Sequence, residues 1–223
     1  MGNEVPVIAI DGPSASGKGT VASLVAKTLG FHYLDSGLLY RLTALAAMHA
    51  NLDFDDAPRV AQLAGALDVQ FVSGETMLAG VAVNEALRDE ACGAGASRVA
   101  QYGAVREALL ARQRAFLQLP GLVADGRDMG SVVFPNARLK VYLTAEVEIR
   151  AQRRFKQLME KEMPVNMQAL LINLRERDLR DSTRAAAPLL QQPDAVLLDT
   201  SDMTIVDAVD FVLEKWRNRC PVD

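Results

Sequence analysis

Residues 8–20 read Ile8-Ala9-Ile10-Asp11-Gly12-Pro13-Ser14-Ala15-Ser16-Gly17-Lys18-Gly19-Thr20. An apolar, β-branched run enters this stretch and a helical pattern leaves it, and between them stands Gly-x4-Gly-Lys. That is the context in which a phosphate loop works. Successive backbone N–H groups line a concavity that suits a polyphosphate. The following helix N-terminus adds unsatisfied N–H groups and a favourable dipole. Lys18 supplies a point charge for the terminal phosphates of a nucleoside triphosphate. The bland alternative is a glycine turn between strand and helix with no ligand.

The general motif puts Ser or Thr directly after the Lys. Here Gly19 stands in that place and Thr20 follows. The Gly-Lys-Gly-Thr ending is similar to the nucleoside monophosphate kinases rather than to the GTPases. The Asn-Lys-x-Asp motif that reads guanine is missing from the sequence.

The 223 residues fit one domain, or one domain carrying insertions. Half are hydrophobic, enough for the core of an ordinary soluble enzyme. A formal net charge of −4 gives no ground for general nucleic-acid binding, so an anion site has to be a local arginine cluster. Cys92 and Cys220 lie far apart without metal-ligand spacing, and two free thiols in a reducing compartment are expected. No basic region followed by a long apolar stretch marks a signal peptide, and no apolar run reaches membrane-spanning length. The cytoplasm is the expected location.

Outward from the loop, strands and helices alternate. Val5–Ile10 reads as a buried parallel strand and residues 18–29 as a helix, with Val21, Leu24, Val25 and Leu29 on one face and Gly30 as its stop. Phe31–Leu34 is a second strand, and Asp35-Ser36-Gly37 offers a cap for a helix to about Ala50. Leu67–Val72 alternates apolar and polar, Ser73-Gly74-Glu75 is a turn, and Met77–Val83 can pair back. A single helix is expected over Ala96–Leu119. Gly121–Ala124 and Leu139–Leu143 are further strands. Residues 145–160 and 166–184 are charged helices separated by Met163-Pro164-Val165. Ala195–Leu198 is the last strand, before a helix carrying Val206, Val209, Val212, Leu213 and Trp216. This order predicts an α/β fold: a P-loop-type parallel sheet flanked by helices, with a small antiparallel insert.

Arginine is the residue type to follow, because phosphoryl transfer needs positioning and charge stabilisation, and the guanidinium fork suits phosphate. Arg153, Arg154, Arg175 and Arg180 serve equally well as a solvated helix face. Arg177 and Asp181, four apart, are either a surface ion pair or, with Arg184, a face that holds a ribose and a phosphate. Asp128, just past a strand, can bind magnesium, bind a base or cap the next turn. Asp125 can reach magnesium through water, or simply form the turn before Gly126. Neither His32 nor His49 has the partners of a catalytic triad. A phosphate acceptor needs no base, since its second pKa of about 6 leaves it mostly ionised at neutral pH.

Asp11 to Thr20, Leu34-Asp35-Ser36-Gly37, Tyr40-Arg41, Ala124-Asp125-Gly126-Arg127-Asp128-Met129-Gly130, and Arg175-Glu176-Arg177-Asp178 with Asp181, Arg184 and Pro188 resemble the bacterial cytidylate kinases. The resemblance runs from about Val5 to Trp216 and is least clear in the central insert, where Leu78–Asn84 is unusual. It implies ATP-dependent phosphorylation of CMP and dCMP. Gly12, Pro13, Ser14, Ala15, Ser16, Gly17, Lys18, Gly19 and Thr20 would wrap the ATP phosphates. Lys18, Arg127 and Arg184 would be catalytic. Ser36, Arg41, Arg127 and Arg184 would surround the acceptor phosphate. Ser97, Arg106 and Asp128 would read cytosine, and Arg177 and Asp181 would hold the sugar. Arg150, Arg153 and Arg154 belong to a stretch that resembles the closing lid and would contact ATP.

A carboxylate can accept from the cytosine amino group, whereas uracil presents a carbonyl there. The resemblance together with Asp128 therefore predicts CMP and dCMP over UMP. Magnesium would be held by the ATP phosphates, water and a hydroxyl such as Ser16 or Thr20, with no dedicated set of protein ligands. The expected organisation is one P-loop kinase domain over 1–223, with an insert at about 66–95 and a lid at about 150–170. A monomer without nucleic-acid or membrane partners is expected. Two rivals are a kinase of another small acceptor, such as shikimate, and a non-enzymatic nucleotide switch.

Overall fold

A computed structural model describes residues 5–72, 74–160, 162 and 164–219. Cys220, Ser73 of the expected turn and Met163 of the expected break lie outside the described residues. The chain forms two compact units, one of residues 1–34 with 116–223 and one of Asp35–Ala115.

The first unit is built on a five-stranded parallel sheet of β1 (Val7–Asp11), β2 (His32–Asp35), β6 (Leu122–Gly126), β7 (Leu139–Thr144) and β8 (Val196–Asp199), in the order β2-β6-β1-β7-β8. β1 is central and buried along its whole length, which is why it reads as an unbroken apolar run rather than an alternating one. Its last residue, Asp11, pairs with Gly126 of β6 on one side and Tyr142 of β7 on the other. The chain leaves β1 at the carboxyl edge of the sheet, where open α/β folds bind their ligands.

α1 (Lys18–Leu29) and α8 (Ile205–Arg219) bury Val21, Ala22, Val25, Ala208, Val212, Leu213 and Trp216 in one cluster with Ile8, Ile10, Val123, Val141 and Leu143. Trp216 meets Phe31 edge to face at 5.7 Å, a favoured arrangement of two rings. α6 (Val147–Met159) and α7 (Met167–Thr183) complete this unit.

The second unit comprises α2 (Ser36–His49), α3 (Ala57–Gly65), a three-stranded antiparallel sheet of β3 (Val69–Val72), β4 (Glu75–Leu78) and β5 (Val81–Ala82), then α4 (Glu90–Val99) and α5 (Gly103–Arg114). Asp35, Asp56 and Asp89 cap α2, α3 and α4, each accepting from a backbone N–H of the first turn. α4 lies close against α2 through small residues. A Cβ on Gly95 would stand 3.1 Å from the Ala44 Cβ and 2.8 Å from the Phe54 ring.

Three expectations are corrected. The helix expected over 96–119 is two helices, because the backbone at Tyr102 is extended and restarts α5 at Gly103. The apolar spacing of Val99, Val105 and Leu109 continues across that break and hides it. Met77–Val83 is not one returning strand. Ala79 and Gly80, both at positive φ, turn the chain between β4 and β5, and β5 pairs with β4. α3 was not expected. It is short, and buries only Val60 and Ala64.

Candidate active site

The phosphate loop spans β1 to α1. Ala15 (φ 59°) and Gly17 (φ 91°) take left-handed backbone, the alternation that turns successive N–H groups to one side as an anion nest. A Cβ on Gly12 would collide with the Leu143 carbonyl, so the loop can leave the sheet here only through glycine. Lys18 folds over the loop and donates to the Pro13 carbonyl at 3.3 Å. The Ser16 hydroxyl is buried and has no hydrogen-bond partner among the described residues. A buried orphan oxygen inside a phosphate loop suits a phosphate or the magnesium that accompanies it.

Arginines hold this loop from outside. Arg127, past β6, donates to the Ser14 hydroxyl at 2.8 Å and to Asp181 of α7 at 2.7 Å. Arg150 of α6 is buried and spends its fork on protein. It donates to the carbonyls of Ala145 (2.8 Å) and Ser14 (3.1 Å) and grips both oxygens of Asp178. Arg153 donates to the Ser16 carbonyl and to Thr200. Arg154 reaches Gln157 on its own helix. The three arginines of the expected lid therefore differ: two brace the loop backbone, and the third lies on the polar face of α6.

Asp181 is buried between arginines. Burial alone would raise its carboxyl, but the Arg127 charge and hydrogen bond, with Arg184 and Arg177, hold it below the ordinary carboxylate range. Arg184 sits 3.9 Å from it and donates to the Ala187 carbonyl. Asp181 is thus the centre of a buried arginine cluster rather than half of a surface pair. Arg175 and Arg180 instead make exposed or partly exposed pairs with Glu148 and Glu176. Asp125 lies within β6, accepts from the Tyr33 hydroxyl at 2.8 Å and lies beside Gly19. The turn reading of Asp125 is therefore excluded. Asp128 is buried at the entry to a π-helical turn, Met129–Val133.

Two further carboxylates, given no role in the sequence reading, belong to this geometry. Asp11 accepts from the backbone N–H groups of Met129 and Gly130, both at 2.8 Å. Burial lifts its carboxyl to about 6, against the pull of those two hydrogen bonds. A carboxylate ending a wholly apolar strand was the available signal. Asp178, the partner of Arg150, stands in the Arg175–Asp178 stretch of the resemblance but receives no role of its own there.

In the second unit, Ser36 is buried at the start of α2. Arg41 donates to the Leu87 carbonyl at 2.8 Å, and a Cβ on Gly93 of α4 would meet its guanidinium at 3.1 Å. Ser97 of α4 and Arg106 of α5 are buried. Arg106 donates to the Ala100 carbonyl and lies over the Tyr40 ring at 5.3 Å. Within this unit the structure therefore brings Arg106 to the end of α4 and to α2. Within the other it brings together the phosphate loop, Arg127, Arg150, Asp181 and Arg184.

Known proteins are similar to this chain. The family model described as cytidylate kinase matches residues 8–218. A cytidylate kinase of Nitrosomonas eutropha is 57% identical over 94% of this chain and 93% of its own. One of Bordetella bronchiseptica is 58% identical over 95% of each. A solved structure from Thermus thermophilus, 17% identical, covers 99% of this chain and 100% of its own with a TM-score of 0.50, and supports the fold alone. The phosphate loop, the Asp-Gly-Arg-Asp stretch and the arginine-ringed Asp181 all fall inside the matched span, and the chain belongs to the cytidylate kinase family.

Proposed function

We propose that the protein transfers the γ-phosphate of ATP to CMP or dCMP, giving ADP and the cytidine diphosphates. The observation that carries this reading is the pairing of a phosphate loop with a buried Arg127–Asp181–Arg184 cluster in a chain of this family. Lys18 and the N–H groups of Gly12–Thr20 bind the ATP phosphates. Arg127 and Arg184 meet the phosphates and compensate charge as the bond shifts. Arg177 and Asp181 hold the acceptor's sugar, and Asp128 accepts from the cytosine amino group. In the unit Asp35–Ala115, Ser36 and Arg41 take the acceptor phosphate, and Ser97 and Arg106 take the base.

Magnesium fits the loop through the unsatisfied Ser16 hydroxyl, with Thr20 as a second hydroxyl and Asp125 beside Gly19 reaching it through water. When bound, it neutralises charge on the transferring phosphates. The protein residues position and compensate, and no base is needed because the acceptor phosphate is already ionised. Arg150, Arg153 and Arg154 serve the ATP side, the first two through the loop backbone they brace.

The same reading takes the chain as one kinase domain. Residues 66–95 form its acceptor-side insert and residues 150–170 a lid that shuts out water, which would otherwise compete as acceptor. A cytoplasmic monomer completes it. No described helix is long and apolar enough to cross a membrane.

The test is ADP release from Mg·ATP with CMP, dCMP, UMP, AMP and shikimate offered separately. Strong turnover with CMP and dCMP is expected. Equal turnover with UMP would remove Asp128 as a base reader, and a preference for shikimate would remove the nucleotide acceptor.

A further inference from the structure

Asp11 lies outside every role assigned above, yet its carboxylate touches the most specific turn in the chain. One oxygen accepts from Met129 N–H and the other from Gly130 N–H. Those two bonds fix the peptide planes on the far side of Asp128. In the first of those planes, the Asp128 carbonyl accepts from Val132 N–H at 2.9 Å and Val133 N–H at 3.1 Å. The peptide that leaves Asp128 is thus held at both its N–H and its carbonyl. A Cβ on Gly130 would stand 3.1 Å from the Lys140 stem and in ordinary contact, 3.5 Å, with the Asp11 carboxylate. A π-helical turn is an uncommon conformation that needs such support, and such turns gather at functional sites.

We propose that Asp11 is a positioning residue for base recognition, holding the Asp128 turn in the one conformation that aims its carboxylate at the cytosine amino group. The inference rests on the reading of Asp128 as the base reader. Asparagine at position 11 can accept from only one of the two N–H groups and turns an N–H donor toward the other. Loss of one charge-assisted bond loosens the turn without removing any group that touches substrate.

Protonation of Asp11 does the same thing reversibly, and its carboxyl titrates at about 6. The charged and titratable groups facing it are Asp128, which raises that value, and Arg127, which lowers it, on its own side of the turn. Across the sheet they are Tyr142, its register partner on β7, and Lys140, whose ammonium pairs with Asp194.

The experiment compares kcat/KM for CMP and for UMP at saturating Mg·ATP, in the wild type, Asp11→Asn and Asp128→Asn. Asp128→Asn should collapse the CMP/UMP ratio. Asp11→Asn should lower it about tenfold, with KM for ATP changed by less than about threefold. If Asp128→Asn leaves the ratio intact, the base reading itself falls and takes this inference with it. If Asp128→Asn collapses the ratio while Asp11→Asn slows both substrates by one factor, the base reading stands and Asp11 is merely structural.

The wild-type ratio across pH 5.5 to 8 decides the matter even if the variant does not fold. Both acceptors carry the same phosphate, so its own titration cancels in the ratio. A CMP/UMP ratio that falls below a pH of about 6 is expected, and a flat ratio overturns the proposal.

Discussion

Lys18 is the residue whose part is simplest to isolate. Its ammonium bends onto the Pro13 carbonyl of its own loop, so it is already over the place where phosphates sit. Lys18→Ala should reduce turnover by about 10²-fold or more while leaving the melting temperature nearly unchanged, because a half-buried lysine contributes little to folding. Activity within a few-fold of wild type would take Lys18 out of the mechanism. The position of Lys18 in the loop was legible from motif spacing alone, and its hydrogen bond to the loop agrees with that position. The role of Arg150 was not legible. Its place in a charged helix is the same as that of Arg154, and only the path of the Ser14 carbonyl distinguishes a brace from a lid contact. Asp181 was half legible. Its spacing from Arg177 pointed to a local pair, but its hydrogen-bonded partner, Arg127, is 54 residues away, a separation that helical periodicity cannot register.

At the scale of elements, strands and buried helices were read from apolar runs to within a residue or two. α1 is found over the very residues 18–29 that its apolar face and Gly30 stop predicted. Errors gathered where pattern and backbone part company. The apolar spacing runs on through residues 100–102, where Ala100 stays buried and only Gln101 is exposed, so the chain breaks without exposing a core face. The packing of α4 on α2 depends on the absence of a side chain at Gly95. Gly95→Ala places a methyl 3.1 Å from the Ala44 Cβ, which is fixed to the backbone and cannot swing aside. The helices must separate slightly, for a loss of about 1–3 kcal/mol. A thermal melt should show it as a drop of several degrees, and an unchanged melt would mean that Phe54 and α2 give way freely.

For the molecule as a whole, two buried carboxylates pull the stability curve in opposite directions. Asp181 is held below the ordinary carboxylate range. Its contribution is therefore present at neutral pH and lost only as pH falls through that depressed value. Asp11 is raised from 3.8 to about 6. The stability tied to its proton is complete below its unfolded value and disappears as pH rises through about 6. Between pH 7 and 5 the wild type should therefore gain about 1 kcal/mol from Asp11 that Asp11→Asn cannot gain. The wild-type melting temperature should rise against that of the variant by about 2–4 °C over this interval. A constant difference between the two proteins would show that Asp11 does not titrate there. The net charge of −4 gives no hint of this opposition, because it arises from burial and partners rather than from composition.

The strand order has one more consequence. The polypeptide departs from the five-stranded sheet after Asp35 and rejoins it in the neighbouring strand, with His32 N–H bonded to the Gly121 carbonyl at 2.8 Å. Some eighty residues are thus spliced between two adjacent staves of the sheet, and that seam is closed by the sheet's own ladder. Lineages can lengthen, shorten or exchange the spliced passage without disturbing the register of β1, β6 and β7. The sheet's hydrogen-bonded frame is thereby indifferent to how much chain is threaded through that seam.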